Sequence, residues 1–225
     1  MEVKRFAWEI VDSNSWLIVE NECGLIIDAV DNVELYNAIA GLKSITIILT
    51  HSHFDHIVGL NKIRNMCPDI SVITTEKCSK YLGNIYRNMS SSATAFMKFY
   101  EGGKKDDINI KPFICAPANL VFEDKIEFTW QSYKIELISV YGHSDDSLIA
   151  VINGESMFSG DTLLGVPTIT RFPTGSSKRF WLEDIPLLRN MSKQLIVYPG
   201  HGDIGKIEEM LEVNKVPERF RECIV

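Results

Sequence analysis

Long apolar runs are missing from this sequence. Stretches such as Leu25–Ile27 and Ile45–Leu49 fall far short of the roughly 18 to 20 residues that cross a bilayer, so no membrane partner is expected. No C-x-x-C pair occurs, and the five cysteines, Cys23, Cys67, Cys78, Cys115 and Cys223, are odd in number and scattered. That argues against a disulfide framework and a thiolate zinc knuckle and leaves buried, reduced thiols as the expectation. Positive charge is in deficit, with 23 Lys and Arg against 30 Asp and Glu and a formal net charge of -7, so there is no general electrostatic footprint for a nucleic acid. Met1–Arg5 runs into the strand-like Phe6–Val11 without the apolar core of a secretory signal, and a cytoplasmic location is expected. Low-complexity tracts and strict repeats are also lacking. With 45% apolar and 24% charged residues, the composition is that of an ordinary globular protein, which excludes disorder, collagen and coiled coil.

What is present alternates between strands and helices. Val3–Val11 and Ser15–Glu20 read as paired strands, Asn21–Gly24 as a turn and Leu25–Val30 as a third strand. Asp31 or Asn32 can cap a helix reaching about Ala40. Ser44–Thr50 is a β-branched run of the buried-strand kind, Ile57–Met66 has helical spacing up to Pro68, Ser71–Thr75 is a strand, and Lys77–Tyr100 is mostly helical. After the loop Glu101–Asp107, strands are expected near Leu120–Phe122, Lys125–Trp130, Tyr133–Val140, Ser147–Ile152, Ser156–Phe158 and Leu195–Tyr198, with helices near Arg179–Arg189 and Lys206–Asn214. Two halves, about 1–105 and 106–225, that each run from strands into helices imply an α/β domain of two packed sheets with helices outside, a four-layer arrangement.

The chemistry concentrates in Thr50-His51-Ser52-His53-Phe54-Asp55-His56, where a buried strand ends and a helix begins. In an extended segment His51 and His53 project to one side, and the turn into the helix lets Asp55 and His56 face a second point nearby. By composition alone, three His and one Asp at these places should arise about once in several thousand such chains. The remaining histidines, His143 in Tyr141–Asp145 and His201 in Tyr198–Gly202, follow strands and sit beside glycine. Asp161 repeats the pattern in Met157–Thr162, an apolar strand ending in glycine and a carboxylate. Seven ligand-type residues exceed what one four-coordinate zinc uses and suit two adjacent divalent metals sharing a bridge. Imidazole and carboxylate donors satisfy Zn, while Fe or Mn also suits an N/O site. Asp55 is the one ligand that could also assist proton transfer.

These segments resemble the metallo-β-lactamase superfamily, whose H-x-H-x-D-H motif, later glycine–histidine, strand-end aspartate and late glycine–histidine occur here in order. The resemblance implies an αβ/βα sandwich in which His51, His53 and His143 hold one metal, Asp55, His56 and His201 hold a second, and Asp161 bridges. Within the superfamily, Asn14–Val19, Leu25–Asp28, Phe158–Leu163 and Tyr198–Gly202 resemble the glyoxalase II-like group, which implies thioester cleavage. The C-terminal helical domain of glyoxalase II proper is expected to be absent, because few residues follow His201. Lactonase or phosphodiesterase activity, and a mononuclear iron enzyme resembling persulfide dioxygenases, are alternatives on the same scaffold.

The expected partner is a small-molecule substrate. Arg171, Lys178 and Arg179, which follow Asp161, could receive an anionic end of it, although a solvated basic cluster has the same composition. Tyr141 could donate to a substrate oxygen or simply pack. Tyr86, Met89, Phe96, Met97, Phe99 and Tyr100 could line a cleft, with core packing the commoner use of such residues.

Overall fold

The computed structural model describes residues 1–67, 69–100, 108–215 and 217. The loop Glu101–Asp107, expected to part the two halves, lies outside them, as do Pro68 and Cys223.

The first sheet contains β1 (Lys4–Trp8), β2 (Ser13–Glu20), β3 (Cys23–Ile27), β4 (Ser44–Ile48), β5 (Ile70–Thr75) and β6 (Leu120–Phe122) in that spatial order. β1 to β3 pair antiparallel and β3 to β6 parallel. Their helices are α1 (Val33–Ile39), α2 (Phe54–Ile57), α3 (Leu60–Arg64), α4 (Glu76–Leu82) and α5 (Ala93–Tyr100). The second sheet runs, in spatial order from its far edge, β12 (Gly205–Lys206), β11 (Ile196–Pro199), β10 (Ser156–Gly160), β9 (Leu148–Ile152), β8 (Tyr133–Ser139) and β7 (Lys125–Trp130). It carries α6 (Ser177–Arg179), a π-helical turn over Phe180–Asp184, α7 (Ile185–Arg189) and α8 (Ile207–Val213).

Strand periodicity explains the layering. On β3, Leu25 and Ile27 face the second sheet and pack with Leu148, Ala150, Ile152 and Phe158. Ile26, between them, faces Leu35, Ile39 and Leu60 of the helices. On β9 the alternation is the same, with Ile149 and Val151 turned out toward Phe180, Ile185 and Leu188. Both faces of the central strands are therefore covered, which is why they read as continuous apolar runs rather than as alternating ones. The expected α/β four-layer αβ/βα sandwich is the fold observed.

Two expected helices are broken. Ile57–Met66 divides into α2 and α3 around Gly59, whose N–H donates to Ala29 O at 2.7 Å. A Cβ on Gly59 would lie 2.3 Å from Val30 O, so the chain must press there against the end of the β3 segment. Lys77–Tyr100 stops at Gly83, and the chain turns where Asn84 Oδ1 accepts from the Tyr86 and Arg87 N–H groups. It resumes as a helix at Ala93. The Val3–Val11 strand ends at Trp8, where Val11 and Asp12 N–H close a turn on Trp8 O. Asn32 is the cap of α1, its side chain accepting from Leu35 N at 2.9 Å.

Candidate metal centre

Every one of the seven ligand-type residues follows a strand or begins a helix at one end of the two sheets. His51, His53, Asp55 and His56 lie between β4 and α2, His143 follows β8, Asp161 follows β10 and His201 follows β11. The backbones of these loops are tied to one another. Leu148 N donates to Thr50 O at 2.7 Å, Ala29 N to His56 O at 2.7 Å, and Gly200 N to Gly160 O at 2.8 Å. Asn14 at the start of β2 holds the last loop, donating through Nδ2 to Pro199 O and Gly202 O, each at 3.0 Å.

The side chains converge. Three sets present ligand atoms within 4.8 Å of one another: His51, His53 and His143; His51, His56 and Asp161; and Asp55, His56 and His201. Asp161 lies between the outer two sets, with Oδ1 3.4 Å from His56 Nε2 and Oδ2 3.5 Å from both His143 Nε2 and His201 Nε2. His201 Nε2 is also 3.2 Å from Asp55 Oδ2.

Hydrogen bonds on the far ring atoms decide which nitrogen each imidazole turns inward. A carbonyl oxygen only accepts, so His143 Nδ1–H donates to Ile169 O at 2.9 Å and His201 Nδ1–H to Val11 O at 3.2 Å. His56 Nδ1 lies 2.9 Å from Asp28 Oδ2, and Thr50 Oγ1 donates to the same oxygen at 2.7 Å. Having given away its proton, the Thr50 hydroxyl accepts from His51 Nδ1 at 3.0 Å. Asp28 thus orients two rings, one directly and one through Thr50, and leaves both Nε2 lone pairs pointing inward. His51 Nε2, His53 Nε2, His56 Nε2 and Asp161 Oδ1 are buried and lack a hydrogen-bond partner. Buried polar atoms are normally satisfied, and a group of imidazole nitrogens and carboxylate oxygens left open in this way fits divalent cations.

Electrostatics divide the histidines, with His51, His53 and His143 lowered and His56 and His201 raised. Burial pulls His53 and His143 down to about 4 and His51 well below its ordinary range, so these rings are neutral at pH 7, the form that ligates. Burial also opposes charge on His56, but Asp55, Asp161 and Asp28 outweigh it and raise its pKa. Burial pushes the Asp161 carboxyl up, and His201, His56 and His143 more than reverse this, holding it well below the usual carboxylate range. Asp55 is likewise lowered, with His56 and His201 prevailing over burial, so it is an ionised acceptor rather than an acid.

With that geometry established, comparison with known proteins places the chain. A profile of the metallo-beta-lactamase superfamily matches residues 8–201. The chain belongs to that superfamily. A probable metallo-hydrolase of Streptococcus pyogenes is 26% identical over 209 residues, covering 90% of this chain and 84% of its own length. A hydroxyacylglutathione hydrolase of Prochlorococcus marinus is 21% identical over 201 residues, covering 85% of this chain and 66% of its own length. These relatives fit the glyoxalase II-like group that the sequence resembles. Among solved structures, the BLEG-1 B3 metallo-beta-lactamase shares the fold with a TM-score of 0.78 at 22% identity, over 95% of this chain and 98% of that one. The superfamily is one of metal-dependent hydrolases, and the His/Asp cluster is where this member could hold its metal.

A cavity of about 220 Å³ opens over the cluster, bordered by His53, Asp55, His143, Asp161 and His201. Met89, Phe96 and Met97 line it, and Met97 is also part of the core, so both uses considered for that segment are realised. Tyr86 is exposed, and the side chains of Phe99 and Tyr100 lie outside what the structure describes. The suggested substrate contacts are placed elsewhere. Tyr141 and Arg179 border a second cavity of about 320 Å³, away from the cluster. There the Arg179 guanidinium sits 3.6 Å over the Tyr141 ring and pairs with Glu183 at 2.6 Å, while Tyr141 Oη reaches Asp124 at 3.3 Å. Arg171 and Lys178 are exposed and do not border the cavity over the cluster. Ile169 and Phe172, on either side of Arg171, border the cavity, while the Arg171 side chain itself is exposed.

Sequence reasoning assigned no role to Asp28, Thr50 or Asp146, whose Oδ2 accepts from Ser52 N at 2.9 Å and pins the first motif to the His143 loop. Asp28 carried a signal: Leu25-Ile26-Ile27-Asp28 is an apolar strand ending in a carboxylate, the pattern that marked Asp161.

Proposed function

We propose that this chain is a dinuclear metal-dependent hydrolase that cleaves an ester-like bond, a thioester first, and that its seven ligand-type residues divide as the resemblance implies. One ion would be held by His51, His53 and His143, the other by Asp55, His56 and His201, with Asp161 shared. The observation that carries this reading is the position of Asp161, with its two oxygens directed to both histidine sets. A pair of divalent ions, Zn first and Fe or Mn next, supplies a water ionised near neutral pH and polarises a substrate oxygen when bound.

The chain's own residues do the rest. Asp28, Ile169 O and Val11 O keep ring protons on the outer nitrogens, so the inner lone pairs stay available. Asp55, held ionised, can accept a proton from the attacking water, whereas Asp161, held well below the usual carboxylate range, is a weak base, and neither begins with a proton to give a leaving group. A thiolate leaves without protonation far more readily than an alkoxide or amide, which ranks thioesters ahead of lactones and phosphodiesters. We take it to be a single globular domain acting on a small molecule in the cytoplasm, and the cavity of about 220 Å³ over the cluster suits a substrate of that size. No helix among the described residues is long and apolar enough to cross a membrane.

Elemental analysis of the purified protein combined with a panel of acyl thioesters, lactones and phosphodiesters tests the proposal. Two equivalents of metal with thioester turnover is the expected result. One equivalent of iron with oxygen consumption would replace it with a persulfide dioxygenase-like reading.

A further inference from the structure

The wall of the cavity over the cluster is apolar, and among the described residues it contains no Lys or Arg. On one side stand Met89, Phe96 and Met97, and the Phe172 ring meets Phe96 at a centroid distance of 5.9 Å. Leu164 and Ile169 extend the same surface. Phe172 also packs edge-on against His53 and His143, with centroids 5.0 and 5.2 Å apart. The apolar wall therefore begins directly at the candidate metal ligands. Arg179 binds Glu183 and Lys77 binds Asp145 at 3.1 Å, both at the second cavity, while Arg171 and Lys178 are exposed and do not line this one.

Resting on the proposed hydrolase reading, we propose that the acyl group of the substrate is apolar and uncharged, a straight or branched aliphatic chain rather than one ending in a carboxylate. An acyl chain laid along Phe96, Met97 and Phe172 loses water from both surfaces, and methionines adapt to chains of differing shape. A second carboxylate at the end of that chain would leave water for a wall whose described residues offer no counter-charge and no array of hydrogen-bond donors. Dicarboxylic acyl groups are disfavoured for that reason.

The test uses the full chain loaded with Zn and N-acetylcysteamine thioesters of acetate, butyrate, hexanoate and octanoate, each of the longer three beside its ω-carboxylated counterpart. The expected result is a kcat/KM that climbs about fourfold per added methylene until the wall is covered. Each ω-carboxyl ester should fall at least about tenfold below its neutral partner. Phe96→Ala should flatten the chain-length series, mainly through KM. Val166→Lys, at a rim position 59% exposed, should narrow the gap between succinyl and butyryl esters. As a readout independent of turnover, calorimetry with metal-free protein should show hexanamide binding tighter than adipamic acid, a preference that Val166→Lys reduces. Thioester turnover with a flat chain-length series, or with preference for the ω-carboxyl esters, overturns the inference and leaves the hydrolase reading standing. Tight hexanamide binding without hydrolysis of any ester or thioester supports the apolar pocket and overturns the hydrolase reading.

Discussion

Asp28 Oδ2 lies 2.9 Å from His56 Nδ1, and it does so from a left-handed backbone, φ 59°, that residues other than glycine adopt at some cost. The twist at the end of β3 turns the carboxylate back under the cluster instead of out to solvent.

Asp28→Asn should weaken metal binding about 10- to 100-fold, with little change in the far-UV spectrum. The amide can place an N–H against His56 Nδ1, favouring the tautomer whose proton occupies Nε2. Competition with a chromophoric chelator measures the affinity, and an unchanged value would remove Asp28 from this role.

His53→Ala and Asp161→Ala should each bring turnover to background while the fold is retained, because both side chains stand at the open face of the cluster rather than in the three apolar layers. Metal content by mass spectrometry and circular dichroism on the same samples separate loss of the site from loss of structure. Full activity at unchanged metal content contradicts the assignment.

Gly200→Ala should damage the site selectively. The added Cβ would fall 2.3 Å from Asp161 Oδ1 and 2.8 Å from His56 Cε1, closer than any such contact is tolerated, so the shared carboxylate must move. Lower metal stoichiometry in a protein that still melts cooperatively is the expected result. Normal stoichiometry would show that the loop gives way instead.

The seven-residue constellation was legible because its members are chemically conspicuous and sit at strand ends, where an apolar run stops at glycine or a polar side chain. The strands were equally plain wherever both faces are buried, as at Leu25–Ile27 and Leu148–Ile152. Helix breaks at Gly59 and Gly83 were not, since helical spacing of apolar residues continues past each break, and only the approach of Val30 to Gly59 or the Asn84 turn reveals the interruption. The side of the chain on which Tyr141 and Arg179 emerge was also hidden. Tyr141, Arg171, Lys178 and Arg179 could each have met the substrate or instead packed or stayed solvated, and only the fold shows Tyr141 and Arg179 at the second cavity and Arg171 and Lys178 exposed.

Asp184 makes stability depend on pH. Burial raises its pKa to about 7, against the lowering effect of the Tyr141 and Gly142 N–H groups that it accepts from. Below its unfolded pKa both states hold the proton. As pH rises from about 4 toward 7 the unfolded chain loses that proton first, so this residue's contribution to stability declines across that window. Melting temperatures of wild type and Asp184→Asn between pH 4 and 8 should converge or cross as pH increases, the variant gaining relative to the wild type. A constant difference would show that the carboxyl titrates alike in both states.

The order in which the seven side chains occur along the polypeptide bears on how the protein matures. Four come from loops of the first sheet and three from the second, and the last of them is His201. A nascent chain emerging from the ribosome therefore cannot close the cage until His201 has been made and the two sheets have met. Ion capture then waits on the meeting of the two sheets, a checkpoint missed by any chain that stops before His201.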